Sequence, residues 1–370
     1  MTTIPVNPGP VLLADLTELV ATLRGDGYSV IAPTVRGDAV VLAEIDTAAQ
    51  LPYGFGTEVE PGGYRVTPVD DRLAFTHVAS PQSWKAYLHP SRERLWSADR
   101  DAEGFTITPD ESVEPPRAFV GVRPCDLRAI GVLDRVLEGG ERYRRRRDNV
   151  FIVAVNCTEP GSTCFCVSAG GGPRAESGFD LALTELPDGR LVAETGTPAG
   201  AELLRRLRTQ APAADTVDQA DRLVESAATR MGRALPEGNL RDVLAATRES
   251  AHWDDVASRC LTCGNCTMAC PTCFCTTVTD STDLTGDHAE RWQQWDSCFD
   301  IDFARIHGDE VRTSAPARYR QWISHKLGTW HDQFGESGCV GCGRCVAWCP
   351  VGIDITAEAA KLADEYTQEH

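Results

Sequence analysis

Two copies of one cysteine pattern govern what this chain can fold into: Cys260, Cys263, Cys266 and Cys270 before Pro271, then Cys339, Cys342, Cys345 and Cys349 before Pro350. Both copies read C-x2-C-x2-C-x3-C-P, the spacing that ligates a pair of iron–sulfur clusters. Three thiolates from one tight loop reach three iron corners of a cubane. The fourth points away, and the proline stops the turn from continuing. In two-cluster ferredoxins that fourth cysteine serves the other cluster. The spacing therefore assigns one 4Fe-4S cluster to Cys260, Cys263, Cys266 and Cys349, and a second to Cys339, Cys342, Cys345 and Cys270. Gly264, Gly341 and Gly343 suit loops whose backbone passes close to a cluster and needs positive φ. Zinc fits poorly, because structural zinc sites use well-separated pairs, whereas here four thiols fall within eleven residues, twice.

Length and charge agree with a redox role. A chain of 370 residues accommodates two or three domains. Its net charge is −18, and only three lysines (Lys85, Lys326, Lys361) stand among 36 basic residues. So acidic a surface disfavours nucleic acid and anionic membranes and suits docking to a basic face of a partner. Fifteen cysteines in a chain this long, clustered with metal spacing, point to a reducing cytoplasm and not to a disulfide scaffold. No stretch approaches the ~20 apolar residues of a membrane span. The start, MTTIPVNPGP, lacks the basic segment and apolar run of a leader. A soluble, cytoplasmic protein is expected.

Residues 1–215 read as a mixed α/β region. Leu12, Leu16, Leu19, Val20 and Leu23 share a helical face that Gly25 and Gly27 end. Strands are expected around Tyr28–Ala32 and Ala39–Ile45. The clearest unit is β-α-β: a strand at Ala118–Val122, the turn Arg123-Pro124-Cys125-Asp126, a helix to about Glu138, and a strand at Val150–Val155. A parallel pair with a right-handed crossover follows from it. A hairpin at Leu181–Glu194 turns at Asp188-Gly189. Residues 216–258 read as a helical connector broken at Pro236-Glu237-Gly238, and 259–370 as an all-helical dicluster ferredoxin module. The 68 residues between the cysteine runs are too many for a compact bacterial ferredoxin. Their tryptophans (Trp292, Trp295, Trp322, Trp330) read as core packing before electron relay.

Seven cysteines remain. Cys125 and Cys157 each follow a strand of the β-α-β unit, where ligand-binding turns gather, and Cys164 and Cys166 lie just after. These four are either buried small hydrophobes or a third metal site. Cys273 and Cys275 directly follow a ligand run and are placed to tune its cluster; Cys298 has no assignment. Gly170–Ala175 matches G-x-G-x-x-A formally, but it follows no strand and contains Pro173, which speaks against a dinucleotide loop. Arg142 and Arg144–Arg147 form a basic run, either a solvated loop or a grip for an acidic surface. No nucleophile, base and orienting acid can be assembled, so no catalytic residue is named.

The segments CLTCGNCTMACPTCFC, WDSCFDIDFARIHG, CVGCGRCVAWCPVGIDIT, GVRPCDLRAIGVLDRV and NCTEPGSTCFC together resemble the beta subunit of cytosolic sulfhydrogenase-type NiFe hydrogenases, and also the related A subunit of anaerobic sulfite reductase. The likeness spans most of residues 80–360. It implies an electron-transfer subunit without chemistry of its own, seated between a flavoprotein subunit that binds NAD(P)H and the hydrogenase small and large subunits. The eight motif cysteines carry that role over. The alternative it leaves open is an electron-transfer subunit of an anaerobic sulfite or polysulfide reductase.

Overall fold

The computed structural model describes residues 9–70, 72–78, 80–110 and 115–369; residues 1–8, on which the leader expectation falls, lie outside the described residues. The strands are β1 (Val11–Leu13), β2 (Ser29–Arg36), β3 (Ala39–Glu44), β4 (Phe55–Glu60), β5 (Gly63–Pro68), β6 (Arg92–Asp101), β7 (Gly104–Pro109), β8 (Arg117–Val122), β9 (Val150–Val155), β10 (Leu181–Glu185), β11 (Leu191–Thr195), β12 (Thr276–Thr282) and β13 (His288–Trp295).

Seven of them form one sheet in the order β1-β11-β10-β9-β8-β2-β3. Its centre is parallel, with β2 on β8, β8 on β9 and β9 on β10, and the edges are antiparallel. The central strands are near-continuous apolar runs such as Val150–Val155, as a sheet covered on both faces requires. The helices Thr17–Gly25 and Pro198–Arg206 put Leu19, Leu23, Leu203 and Leu204 on one face. Leu127, Ile130 and Leu133 of the helix Pro124–Val136 cover the other, with Trp84 and Leu88. The β-α-β reading holds, with the β8–β9 pair parallel. The β10–β11 hairpin also forms, with Gly189 at φ 86° in its turn. Val11–Leu13 are a strand on β11 and not the start of the first helix, because edge pairing gives their backbone groups partners.

The stretch read as a connector carries the helices Ala214–Thr229, Leu240–Ala246 and His252–Arg259, with Gly238 at φ 104° between the first two. The region between the cysteine runs is not all-helical. Its first half forms β12 and β13, which join β6 and β7 of the N-terminal region in a four-stranded sheet, β12-β13-β6-β7. The β-branched run Thr276-Thr277-Val278-Thr279 favours strand, and β6 supplies an edge that only the tertiary fold brings near. Trp292 and Trp295 accordingly lie on β13, under Arg92 at 4.1 Å and Lys85 at 3.7 Å. Trp322 and Trp330 are core residues on helices, as expected.

The basic run is a helix, Glu141–Asp148, docked inside the molecule. Arg142 donates to Glu93, Arg94 O and Leu95 O, Arg146 pairs with Glu93, and Arg147 pairs with Asp134. It is a helix and not a loop: Arg142, Arg146 and Arg147 are engaged within the chain, while Arg144 and Arg145 are exposed on its outer face.

Candidate iron–sulfur centre

The two cysteine loops are built alike. The helix His252–Arg259 delivers Cys260, whose amide still bonds Val256 O. The chain then turns through Thr262 at φ 50° and Gly264 at φ 74° into the short helix Asn265–Met268, which carries Cys266. In the second copy Gly341 at φ 67° and Gly343 at φ 75° lead into Arg344–Ala347, which carries Cys345. The amide two residues after the first cysteine donates to its sulfur in both: Thr262 N to Cys260 Sγ at 3.3 Å and Gly341 N to Cys339 Sγ at 3.4 Å. Ile353 N likewise reaches Cys349 Sγ at 3.3 Å. The left-handed backbone turns these amides inward. A threonine held at positive φ is strain of the kind found at functional sites.

The tails of the two runs cross. Cys349 lines one cavity with Cys260, Cys263 and Cys266, closed by Phe299, Tyr319 and Trp322. Burial pushes the Cys266 thiol well up, and Cys298, Cys260, Cys349 and Cys263 raise it further. Cys270 instead faces the second loop: burial raises Cys345, and the sulfurs of Cys339, Cys342 and Cys270 raise it further. The first cavity thus gathers Cys260, Cys263, Cys266 and Cys349, with Cys345 also in its wall, while Cys345 stands near Cys339, Cys342 and Cys270 and, more weakly, Cys266.

These residues fit a cluster. Tyr319 Oη and Trp322 Nε1 are buried at the first cavity without a hydrogen-bond partner among the described residues, a cost that acceptor sulfur in the cavity would relieve. Zinc fits less well. Tetrahedral Zn–S bonds of about 2.3 Å hold sulfurs about 3.8 Å apart, yet among the described residues no three cysteine sulfurs lie within 4.8 Å of one another. The one such group, His252, Asp255 and Glu358, contains no cysteine.

Two lysines escape sequence reasoning. Lys326 donates from its Nζ to Cys270 Sγ at 3.4 Å and to Thr272 Oγ1 at 3.0 Å. Lys85 donates to Cys270 O at 3.0 Å and Cys273 O at 2.8 Å. Both are buried. Burial works against the Lys326 charge, but Cys270, Cys273 and Cys339 outweigh it and hold its pKa well up. Lys85 comes down, because its burial, helped by the nearby Lys326 charge, outweighs the sulfurs of Cys273, Cys270 and Cys275. Cys270 is driven down by the Cys273 hydrogen bond, against burial, and then by Lys326; Cys273 is driven up as its partner. Cys275 and Cys298 influence each other nearby. The available signal was scarcity, since two of only three lysines converge here.

The four upstream cysteines also converge: Cys125, Cys157, Cys164 and Cys166 line a second cavity together with Cys342. No helix among the described residues is long and apolar enough to cross a membrane.

Residues 259–353 match the family model for a 4Fe-4S dicluster domain. Sulfhydrogenase 2 subunit beta of Pyrococcus furiosus is 36% identical over 286 residues, covering 74% of this chain and 81% of that protein. No solved structure matches. With a dicluster domain over both cysteine loops and that identity across most of its length, this chain belongs to the sulfhydrogenase beta-subunit family of iron–sulfur electron-transfer proteins.

Proposed function

We propose that the chain is the relay subunit of a cytoplasmic, NAD(P)-linked NiFe hydrogenase, carrying electrons between a flavoprotein subunit that binds NAD(P)H and the hydrogenase small and large subunits. Cys260, Cys263, Cys266 and Cys349 hold one 4Fe-4S cluster in this reading, and Cys339, Cys342, Cys345 and Cys270 the other. The observation that supports it is the placement of Cys349 in the cavity wall of Cys260, Cys263 and Cys266 and of Cys270 beside Cys345 of the second loop, which suits an exchange of tails between the two loops. Independent metal sites have no need of it, whereas a pair of adjacent electron carriers does. A bound 4Fe-4S cluster takes up and releases one electron at a time. The protein's part is to hold and tune. Phe299, Trp322 and Ile353 exclude water from the first site, and the amides of Thr262 and Gly341 set donors on ligand sulfur. Lys326 adds a positive charge that favours the reduced state of the second. A cytoplasmic setting suits fifteen cysteines of which none is paired in a disulfide.

The test is the assembled complex carrying Cys345→Ala. It is expected to lose hydrogen-driven NAD(P) reduction, while NAD(P)H oxidation with an artificial acceptor and hydrogen oxidation with a viologen dye persist. An assembled mutant complex with full coupling would overturn the relay, and so would an isolated chain that reduces sulfite or polysulfide from a dye donor.

A further inference from the structure

We infer that Cys125, Cys157, Cys164 and Cys166 hold a third 4Fe-4S cluster, placed between the carboxyl edge of the large sheet and the second cysteine loop.

The fold assembles the site from three places. Cys125 lies in the first turn of the helix that leaves β8, and Cys157 follows β9, so both stand at the carboxyl ends of neighbouring parallel strands. Cys164 and Cys166 come from the loop beyond, pinned by Cys164 N to Gly161 O at 3.0 Å and Phe165 N to Gly341 O at 2.9 Å. All four line one cavity, similar in size to the cavity of Cys260, Cys263, Cys266 and Cys349. The rest of the wall is mostly apolar, including Val78, Pro160, Pro173 and Met231. Four thiols around one mostly apolar space are the donor set of a cubane.

A second observation calls for an anion in the same place. Arg123 lines this cavity and is 5% exposed. Its Nη2 donates to Phe75 O and His77 O, but its Nε and Nη1 have no hydrogen-bond partner among the described residues. A buried guanidinium is costly unless negative charge stands near it; the buried Glu185 carboxylate supplies some of that charge, and a cluster held by four thiolates, itself an anion, would add to it on the cavity side. Arginine cannot shed its proton to escape that cost.

The cavity also adjoins the second loop through backbone contact. A Cβ on Gly341 would lie 2.5 Å from the backbone N and Cα of Cys166, and one on Gly343 2.4 Å from Thr163 O. Cys342, a ligand of the second cluster in the reading above, is part of the cavity wall. A cluster here would extend the two-cluster relay by one contiguous step toward the large sheet.

The inference is tested on the full chain isolated anaerobically, by iron, acid-labile sulfide and zinc content with Mössbauer spectra. Three clusters predict about 12 iron and about 12 sulfide per chain. The double variant Cys157→Ser/Cys164→Ser should fall to about 8 of each while keeping the two dicluster signals, and those retained signals report its folding. A wild-type chain with about 8 iron, a variant that loses no iron, or zinc bound at these thiols would overturn the third site and leave the two-cluster relay standing. Absence of labile sulfide altogether would sink the relay instead.

Discussion

Arg344 and Asp126 form a buried two-pronged ion pair, with Nη1 to Oδ1 at 2.8 Å and Nη2 to Oδ2 at 3.1 Å, their side chains 2% and 4% exposed. Asp126 follows Cys125 and Arg344 precedes Cys345, so one contact locks the turn after β8 onto the second cysteine loop. Arg344 Nε also donates to Ser80 O at 2.8 Å. Breaking such a pair leaves a buried charge uncompensated, which costs about 3–5 kcal/mol. Asp126→Asn is therefore expected to lower unfolding stability by roughly that amount and to loosen iron from the second loop first. Denaturant unfolding with iron release measured alongside checks it; a change below about 1 kcal/mol would mean the pair is not the lock.

Lys326 places a fixed positive charge against Cys270 Sγ. Removing a unit charge this close, at an effective dielectric near 20, is worth a few kcal/mol, or on the order of 100 mV for one electron. Lys326→Met should move the midpoint of the second cluster to more negative potential by about that much and leave the first nearly unchanged. A potentiometric titration resolves the two; equal midpoints in variant and wild type would rule out the tuning role.

Cys270→Ala tests the crossing of the loops. The signal belonging to Cys339, Cys342 and Cys345 should be damaged, although Cys270 is adjacent in sequence to the first run. Loss confined to the cluster of Cys260, Cys263 and Cys266 would show that each run ligates alone.

His77 is buried, and that burial, with Arg123 beside it, pulls its pKa down from 6.5 to about 3. Between those values the unfolded chain binds a proton that the folded chain does not. Stability is then full above pH 6.5 and declines as pH falls toward 3, by up to about 1.4 kcal/mol per unit from this residue. His77→Gln should flatten the stability profile between about pH 6.5 and pH 5.5. An unchanged slope in urea unfolding over that window would contradict the assignment.

What the sequence disclosed was local. The cysteine loops announced themselves because a cluster fixes ligand spacing within a few residues, and the unit Ala118–Val155 because strand runs, turn and helix are each short-range signals. The sheet of β12 and β13 on β6 was hidden, since its pairs join Trp292 to Arg94 and Gln293 to Glu93 across nearly two hundred residues. Tryptophans that suit a helix equally well gave no warning. Asp126 and Arg344, separated by 218 residues, and the lysines at Cys270 were out of reach for the same reason. Burial of a charge is decided by the tertiary fold, and a charged residue read in isolation looks like surface. The convergence of Cys125, Cys157, Cys164 and Cys166 was half legible: the strand ends placed two of them, and only the loop held by Gly161 O and Gly341 O brought in the rest.

The most direct measurement of the central claim is an EPR-monitored reductive titration of the anaerobically isolated full chain, beside the same titration of Cys263→Ala and Cys339→Ala. The account predicts one-electron 4Fe-4S signals broadened by mutual coupling in the wild type, with a different cluster missing from each variant. A chain that holds zinc without labile sulfide, or that loses the same single signal in both variants, would contradict it.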